Sequence, residues 1–202
     1  MTVAAIILAA GQSSRFEDGH KLLAAIDGIP IVRRVCSALA ASNVGETILV
    51  TADRDGAVAA AAGAGRWRIV GNPDARDGLS TSLRVGLENI GRDVDGALIA
   101  LGDMPGITTG LANELLAAFD SHRSAIVFPL ASNGRRGHPV IWPKHLFATL
   151  AAMRGDSGGK SLLAEHKELW LPVPCDDEGA FADIDTRDDL QAFTDDQAMR
   201  RK

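Results

Sequence analysis

Cysteine is scarce: the 202-residue chain carries only Cys36 and Cys175, far apart and in no CxxC pair. Neither a disulfide framework nor a zinc site is indicated, and a reducing cytoplasm is the expected compartment. Positive charge is not in surplus, since 21 Lys and Arg stand against 26 Asp and Glu for a net charge of −5. Nucleic-acid backbones are gripped chiefly by excess Lys and Arg, so nucleic acid is not an expected partner, although one nucleotide in a local basic pocket remains compatible. Long apolar runs are missing too. The run Val3-Ala4-Ala5-Ile6-Ile7-Leu8 is too short to cross a bilayer and lacks the basic flank of a signal peptide, so a mature, soluble chain with no membrane partner is expected. No internal repeat or linker appears, and the length suits one well-buried domain over 1–202, with a polar tail at 195–202 expected to fray.

What is present is a rapid alternation of short strands and helices. Apolar runs at 3–8, 47–51, 67–70, 96–101, 124–129 and 169–173 read as strands, and helical spacing appears at 31–42, 53–62, 80–87, 111–119 and 144–153. That alternation predicts an α/β fold, a doubly wound, mostly parallel sheet with helices on both faces. Glycine-rich material between residues 131 and 142 hints at an antiparallel excursion. Asp27-Gly28 is expected to form a turn and Ser80 to cap a helix; either Thr186 or Asp185 would cap a last helix running through Phe193.

The first strand is followed by Ala9-Ala10-Gly11-Gln12-Ser13-Ser14-Arg15, with Lys21 further on. Gly11 reaches backbone angles closed to other residues, Ser13 and Ser14 donate alongside the main chain, and Arg15 and Lys21 add charge, which suits a phosphate-cradling loop. The same residues also suit an ordinary strand-to-helix connection. Asn72-Pro73 leads to Gly78 and to Ser80 and Ser82, where a helix start can hold a polar ligand or serve only as a cap. Asp103 ends a strand in Leu101-Gly102-Asp103-Met104-Pro105, at the sheet edge where α/β proteins bind ligands, and is the first candidate metal ligand. Arg135, Arg136, Gly137, His138 and Pro139 form a basic loop fit either for an anionic substrate or for a solvated hairpin. In Gly155-Asp156-Ser157-Gly158-Gly159-Lys160 only three residues separate the first glycine from the Gly-Lys pair, where four are needed, so a Walker A loop is not expected.

Taken together, Leu8 through Arg15 with Lys21, and the Leu-Gly-Asp-Met-Pro segment, resemble nucleotidyltransferases that activate phosphorylated metabolites. Asn72-Pro73 with Gly78 and Ser80 to Leu83, Gly137-His138-Pro139, Gly155-Asp156-Ser157-Gly158 and Asp183-Ile184-Asp185-Thr186 narrow the resemblance to the molybdenum cofactor cytidylyltransferase branch, over nearly the whole chain. The resemblance implies a Rossmann-like domain of the nucleotide-diphospho-sugar transferase type that transfers CMP from CTP to molybdopterin or its molybdenum form. It implies that Leu8, Ala9, Ala10, Gly11, Ser13, Ser14, Arg15, Lys21, Asn72, Gly78, Ser80 and Ser82 bind nucleotide, with Arg15, Lys21 and Asp103 catalytic. Arg136, Gly137, His138, Pro139 and Asp156 fall to the acceptor, and Asp103 with Asp185 to Mg²⁺. Ala10 matches the cytidylyl type, whereas guanylyl enzymes tend to carry glycine there. A molybdoenzyme or its chaperone is an implied partner. The segment between Arg15 and Lys21 is one residue longer than the common family spacing, Gly159-Lys160 stands where Ala-Arg is common, and Arg187 replaces the usual proline. Two other readings stay open: transfer to another phosphorylated acceptor, such as a guanylyl-type pterin, sugar or polyol phosphate, and a non-catalytic molybdopterin-binding accessory protein.

Overall fold

The computed structural model describes every residue except 14, 17, 18, 156–158, 201 and 202, and the side chain of residue 160. In chain order, strand β1 is Val3–Ala9, and a hairpin of β2 (Ala25–Ile26) and β3 (Ile29–Pro30) precedes helix α1 (Ile31–Ala40). Then come β4 (Glu46–Thr51), α2 (Ala57–Ala62), β5 (Arg68–Gly71), α3 (Leu79–Asn89), β6 (Gly96–Leu101) and α4 (Thr109–Ser121). The second half contributes β7 (Ile126–Leu130), β8 (Val140–Pro143), α5 (Phe147–Ala152), α6 (Lys160–Glu165), β9 (Trp170–Pro174) and α7 (Arg187–Arg200).

Seven strands form one sheet in the order β5-β4-β1-β6-β8-β7-β9. β1 is central because both of its faces are apolar: Val3, Ala5, Ile7 and Ala9 join one core with α1 and α4, while Ile6 and Leu8 join another with Leu83 of α3 and Leu150 of α5. Side chains alternate along a strand, so a continuous apolar run is stable only with a layer on each side. β1 pairs in parallel with β4 and with β6, and Ile6 lies level with Ile48 and Ile99. The Rossmann-like α/β architecture is therefore the observed one. Among the described residues no helix is long and apolar enough to cross a membrane.

The antiparallel excursion is β8, which pairs antiparallel with both β6 and β7, setting Val140 opposite Ile99. Running backwards, β8 begins at the edge where its antiparallel neighbours β6 and β7 end. The loop before it therefore joins the loops after β1 and β6 on that edge. β9 pairs in parallel with β7, so the chain beyond Pro174 returns to the same edge.

Local chemistry accounts for the differences in element boundaries. Gly78 takes φ +109, a region that disfavours serine, and starts α3 at Leu79; Ser80 is consequently not the cap but a buried residue inside the first turn, its N–H donating to Gly155 O. The Asp53 carboxylate accepts from Asp55 N–H, holding a turn that delays α2 to Ala57. Asp27 and Gly28, at φ +53 and +76, form the tight turn of the β2–β3 hairpin. At α7 the Asp189 carboxylate accepts from the N–H groups of Asp185 and Thr186, and Thr186 Oγ1 accepts from Asp189 N–H, a reciprocal cap. The helix continues past Phe193, and Arg200 near its end pairs with Asp177 and Asp196.

α3 lies close on β1 because Gly86 has no side chain; a Cβ there would sit 2.4 Å from Ile6 Cγ2. Gly86→Val is expected to cost roughly 1–3 kcal/mol through overpacking. A thermal melt of the variant within about 1 °C of wild type would show that the two elements can separate without penalty.

Candidate functional site

A cavity of about 480 Å³ opens at the strand edge described above, lined by the loop after β1, the start of α3, Asp103 and Asp185. Lys21 is the centre of its charge arrangement. Its Nζ lies 2.5 Å from Asp103 Oδ2 and 2.7 Å from Asp185 Oδ1, and its side chain is 13% exposed. Burial works against the ammonium charge, but the carboxylates of Asp103 and Asp185 outweigh it and hold the Lys21 pKa above its ordinary value. Arg15 reaches Asp185 Oδ2 at 2.8 Å from a largely exposed position, where solvent screening leaves the pair little energy.

The two carboxylates meet because two backbone features force them together. Gly102 N–H donates to Leu8 O, locking the end of β6 beside the start of the loop after β1, and Ile184 N–H donates to Asp103 O. Ile184 itself is 1% exposed, so its burial anchors the segment and turns Asp185 toward the cavity. Asp103 Oδ1 is buried and has no hydrogen-bond partner among the described residues. An orphaned buried carboxylate oxygen is costly unless something electropositive completes it. Asp103 and Asp185 thus fit a hard divalent cation, which takes one or two protein carboxylates and fills its remaining positions with phosphate oxygens and water. Among the described residues no group of three or more His, Cys, Asp or Glu side chains is placed to hold a metal alone.

Most of the expected nucleotide residues come together here. Leu8, Ala9, Ala10, Gly11, Ser13, Arg15, Lys21, Gly78 and Ser82 line the cavity with the two aspartates. Asn72 and Ser80 do not. Asn72 is fully buried, its amide donating to Thr81 Oγ1 and Ser82 Oγ at 2.9 Å each and accepting from Asp74 N–H. With donors and acceptor already engaged, it holds the loop of residues 72–78 against α3. Ser14 and Asp156 lie outside the described residues. Gln12, Arg76 and Leu79 also line the cavity and were missed, although Arg76 lies only two residues before Gly78 in a loop already singled out.

A second cavity, about 430 Å³, adjoins the first across a wall of Leu8, Leu79 and Leu101, which line both. Its interior is apolar, with Leu83, Ile99, Val140, Leu150 and Trp142, and its mouth carries Arg135, Arg136, Gly137 and His138. Pro139, joined to His138 by a cis peptide, follows the mouth without lining it. The Arg136 guanidinium stacks 5.0 Å from the Trp170 ring and that of Arg135 4.9 Å from Phe181, while Arg135 also pairs with Glu178. The mouth is thus basic, its arginines resting on two rings, Trp170 and Phe181, that do not themselves line the cavity. Trp142 escaped the sequence reading because a large aromatic in a strand looks the same whether it fills the core or walls a pocket. Residues 155–160 follow helix α5 rather than a strand, as the rejection of a Walker A loop requires.

Residues 5–169 match the family model described as the MobA-like NTP transferase domain. The nicotine blue oxidoreductase of Paenarthrobacter nicotinovorans is 29% identical over 91% of this chain and 92% of its own. The molybdenum cofactor guanylyltransferase of Cupriavidus metallidurans is 27% identical over 93% and 92%. The structure of Mycobacterium tuberculosis Rv0371c in complex with manganese shares the fold, with a TM-score of 0.78 at 22% identity over 96% of this chain and 99% of that one.

Proposed function

The chain belongs to the MobA-like NTP transferase family, and on that premise we propose that this nucleotidyltransferase moves CMP from CTP to the phosphate of molybdopterin or its molybdenum form, releasing pyrophosphate. The observation that carries the reading is the pair of adjoining cavities, one cation-lined around Lys21, Asp103 and Asp185, the other apolar with an arginine mouth. A two-substrate transfer needs such a pair: a triphosphate in one compartment and a ring-bearing phosphate in the other, meeting at a shared wall.

In the proposed reaction an oxygen of the acceptor phosphate forms a bond to the α-phosphorus of CTP. The bond from that phosphorus to the β-bridging oxygen breaks, and pyrophosphate leaves with the electron pair. Two anions must approach each other, so positioning and charge neutralisation dominate and no protein nucleophile is required. The backbone of the loop containing Gly11 and Ser13 cradles the triphosphate, and Lys21 and Arg15 neutralise the β- and γ-phosphates and the departing pyrophosphate. Asp103 and Asp185 would hold Mg²⁺, which when bound polarises phosphate oxygens as a Lewis acid; the manganese complex of Rv0371c supports a divalent cation in this fold. Arg136, Gly137 and His138 receive the acceptor phosphate, and the apolar walls receive its ring. Ala10, which lines the cavity at the position where the guanylyl enzymes of the resembled family tend to carry glycine, supports CTP.

Pyrophosphate release measured with each of four nucleoside triphosphates against pterin, sugar and polyol phosphates tests the reading. The expected pair is CTP with the pterin phosphate. Turnover with GTP instead reassigns the base, and no pyrophosphate from any pair overturns the transferase. Arg136→Ala is expected to raise the KM for the acceptor roughly tenfold or more, with the KM for nucleotide unchanged; an equal rise in both would move Arg136 out of the acceptor compartment.

The relative named as an oxidoreductase favours a second reading, in which the same cradle holds a phosphate-bearing redox nucleotide. It predicts loss of a reduced nucleotide's absorbance with no pyrophosphate formed.

A further inference from the structure

We propose that His20 is a positioning residue of the triphosphate site, tying the glycine loop to the turn that carries Lys21; this rests on the nucleotidyltransferase reading of that site. The ring bridges two segments that must be held in register. Its Nδ1 lies 3.3 Å from Leu22 N and 3.1 Å from Ser13 Oγ, and its Nε2 lies 3.1 Å from Gly11 O. A backbone N–H can only donate, so Nδ1 is the acceptor, taking the Leu22 N–H and the Ser13 hydroxyl. Nε2 then carries the ring proton and donates to Gly11 O. One neutral imidazole thereby caps the helical turn Lys21–Leu23 and reaches back to the cavity-lining loop.

Capping alone does not call for histidine. Serine or aspartate would satisfy the Leu22 N–H at least as well, yet each side chain ends at the atoms that accept. The imidazole offers a second nitrogen on its far side, and that atom makes the tie to Gly11. The tie bears on function because Ser13 sits at φ +53, a conformation seldom held without support, and because Lys21 projects from the turn His20 caps. Burial of the ring, with Lys21 alongside, outweighs the Gly11 bond and holds the His20 pKa below its ordinary value, consistent with a neutral ring at pH 7. A loop already held in its binding shape escapes the ordering cost that a loose loop meets when the triphosphate arrives. The benefit falls on nucleotide affinity, because once the triphosphate is bound its own charge holds Lys21 in place for the chemical step.

The test uses the full chain, with inorganic tripolyphosphate as a base-independent probe in titration calorimetry and CTP in steady-state kinetics. His20→Ala is expected to weaken tripolyphosphate binding and raise the KM for CTP by roughly tenfold or more, with kcat at saturation within about threefold of wild type. His20→Asn keeps the acceptor for Leu22 N–H and His20→Gln keeps the donor for Gly11 O, so each is expected to recover part of the loss. Wild-type affinity in His20→Ala overturns the proposal, as does an Asn and Gln pair no better than Ala. Should His20→Ala fail to fold, Asn and Gln are compared with wild type directly, and unchanged affinity in both is the overturning result. A wild type that binds neither tripolyphosphate nor CTP overturns the nucleotide reading together with the tie that depends on it.

Discussion

Asp103→Asn is expected to lower metal-dependent turnover by about a thousandfold or more while the protein stays folded. Asparagine keeps the volume and one oxygen, so the end of β6 and the hydrogen bond from Ile184 N–H to the residue 103 carbonyl survive. What goes is the negative charge beside Lys21 and the orphaned Oδ1, the atom best suited to a hard cation. The amide is a poor ligand for a dehydration-resistant divalent ion: its C=O keeps the contact with Lys21, and its N–H₂, which cannot ligate a cation, stands where Oδ1 was. Circular dichroism should match wild type, with the loss confined to turnover and to Mn²⁺ binding in the presence of nucleotide. Near-normal activity would remove Asp103 from the metal assignment.

Lys21→Met should reduce kcat by about a hundredfold or more, because on the proposed reading the departing pyrophosphate loses a neutralising cation. The same variant carries a second and opposite expectation. In the free protein the Lys21 ammonium bridges Asp103 and Asp185, the very carboxylates a divalent ion would use. On the proposed reading, lysine and metal therefore compete for these carboxylates until a triphosphate draws the lysine away. With methionine, Mn²⁺ should bind the nucleotide-free protein at least about tenfold more tightly than wild type, since Asp103 is left without its counter-charge and Asp185 keeps only the largely exposed Arg15. The variant should also melt lower without metal, and added Mn²⁺ should raise its Tm more than that of wild type. Equal Mn²⁺ affinity in both proteins would mean that the bridge does not obstruct the metal.

Much of this was legible in residues alone, and the exceptions share a cause. β1 could be read as central because a run apolar at every position needs cover on both faces, and Asp103 as a site residue because strands end where such folds bind ligands. Asn72 and Ser80 were read as ligand contacts because a polar residue beside a glycine-rich loop looks the same whether it faces the ligand or the protein. The structure turns Asn72 inward onto Thr81 and Ser82, and the positive φ of Gly78 starts the helix early enough to bury Ser80. Arg76 and Trp142 line cavities because of how distant elements pack, and no local periodicity carries that information.

Local pattern by itself determined the elements, their alternation and the candidacy of residues 11–21 and of Asp103 for a ligand site, because these depend on backbone propensity and side-chain type over short stretches. Only the tertiary structure decided that Asp185, 164 residues beyond Lys21, shares its ammonium with Asp103, and that β8 runs backwards to bring an arginine loop beside the same crevice. It also turned His20 from an unremarked loop residue into a link between two parts of one site. The physical reason is range: propensity and spacing act over a few residues, whereas a site is built where the long-range packing of a sheet brings separate strand ends together.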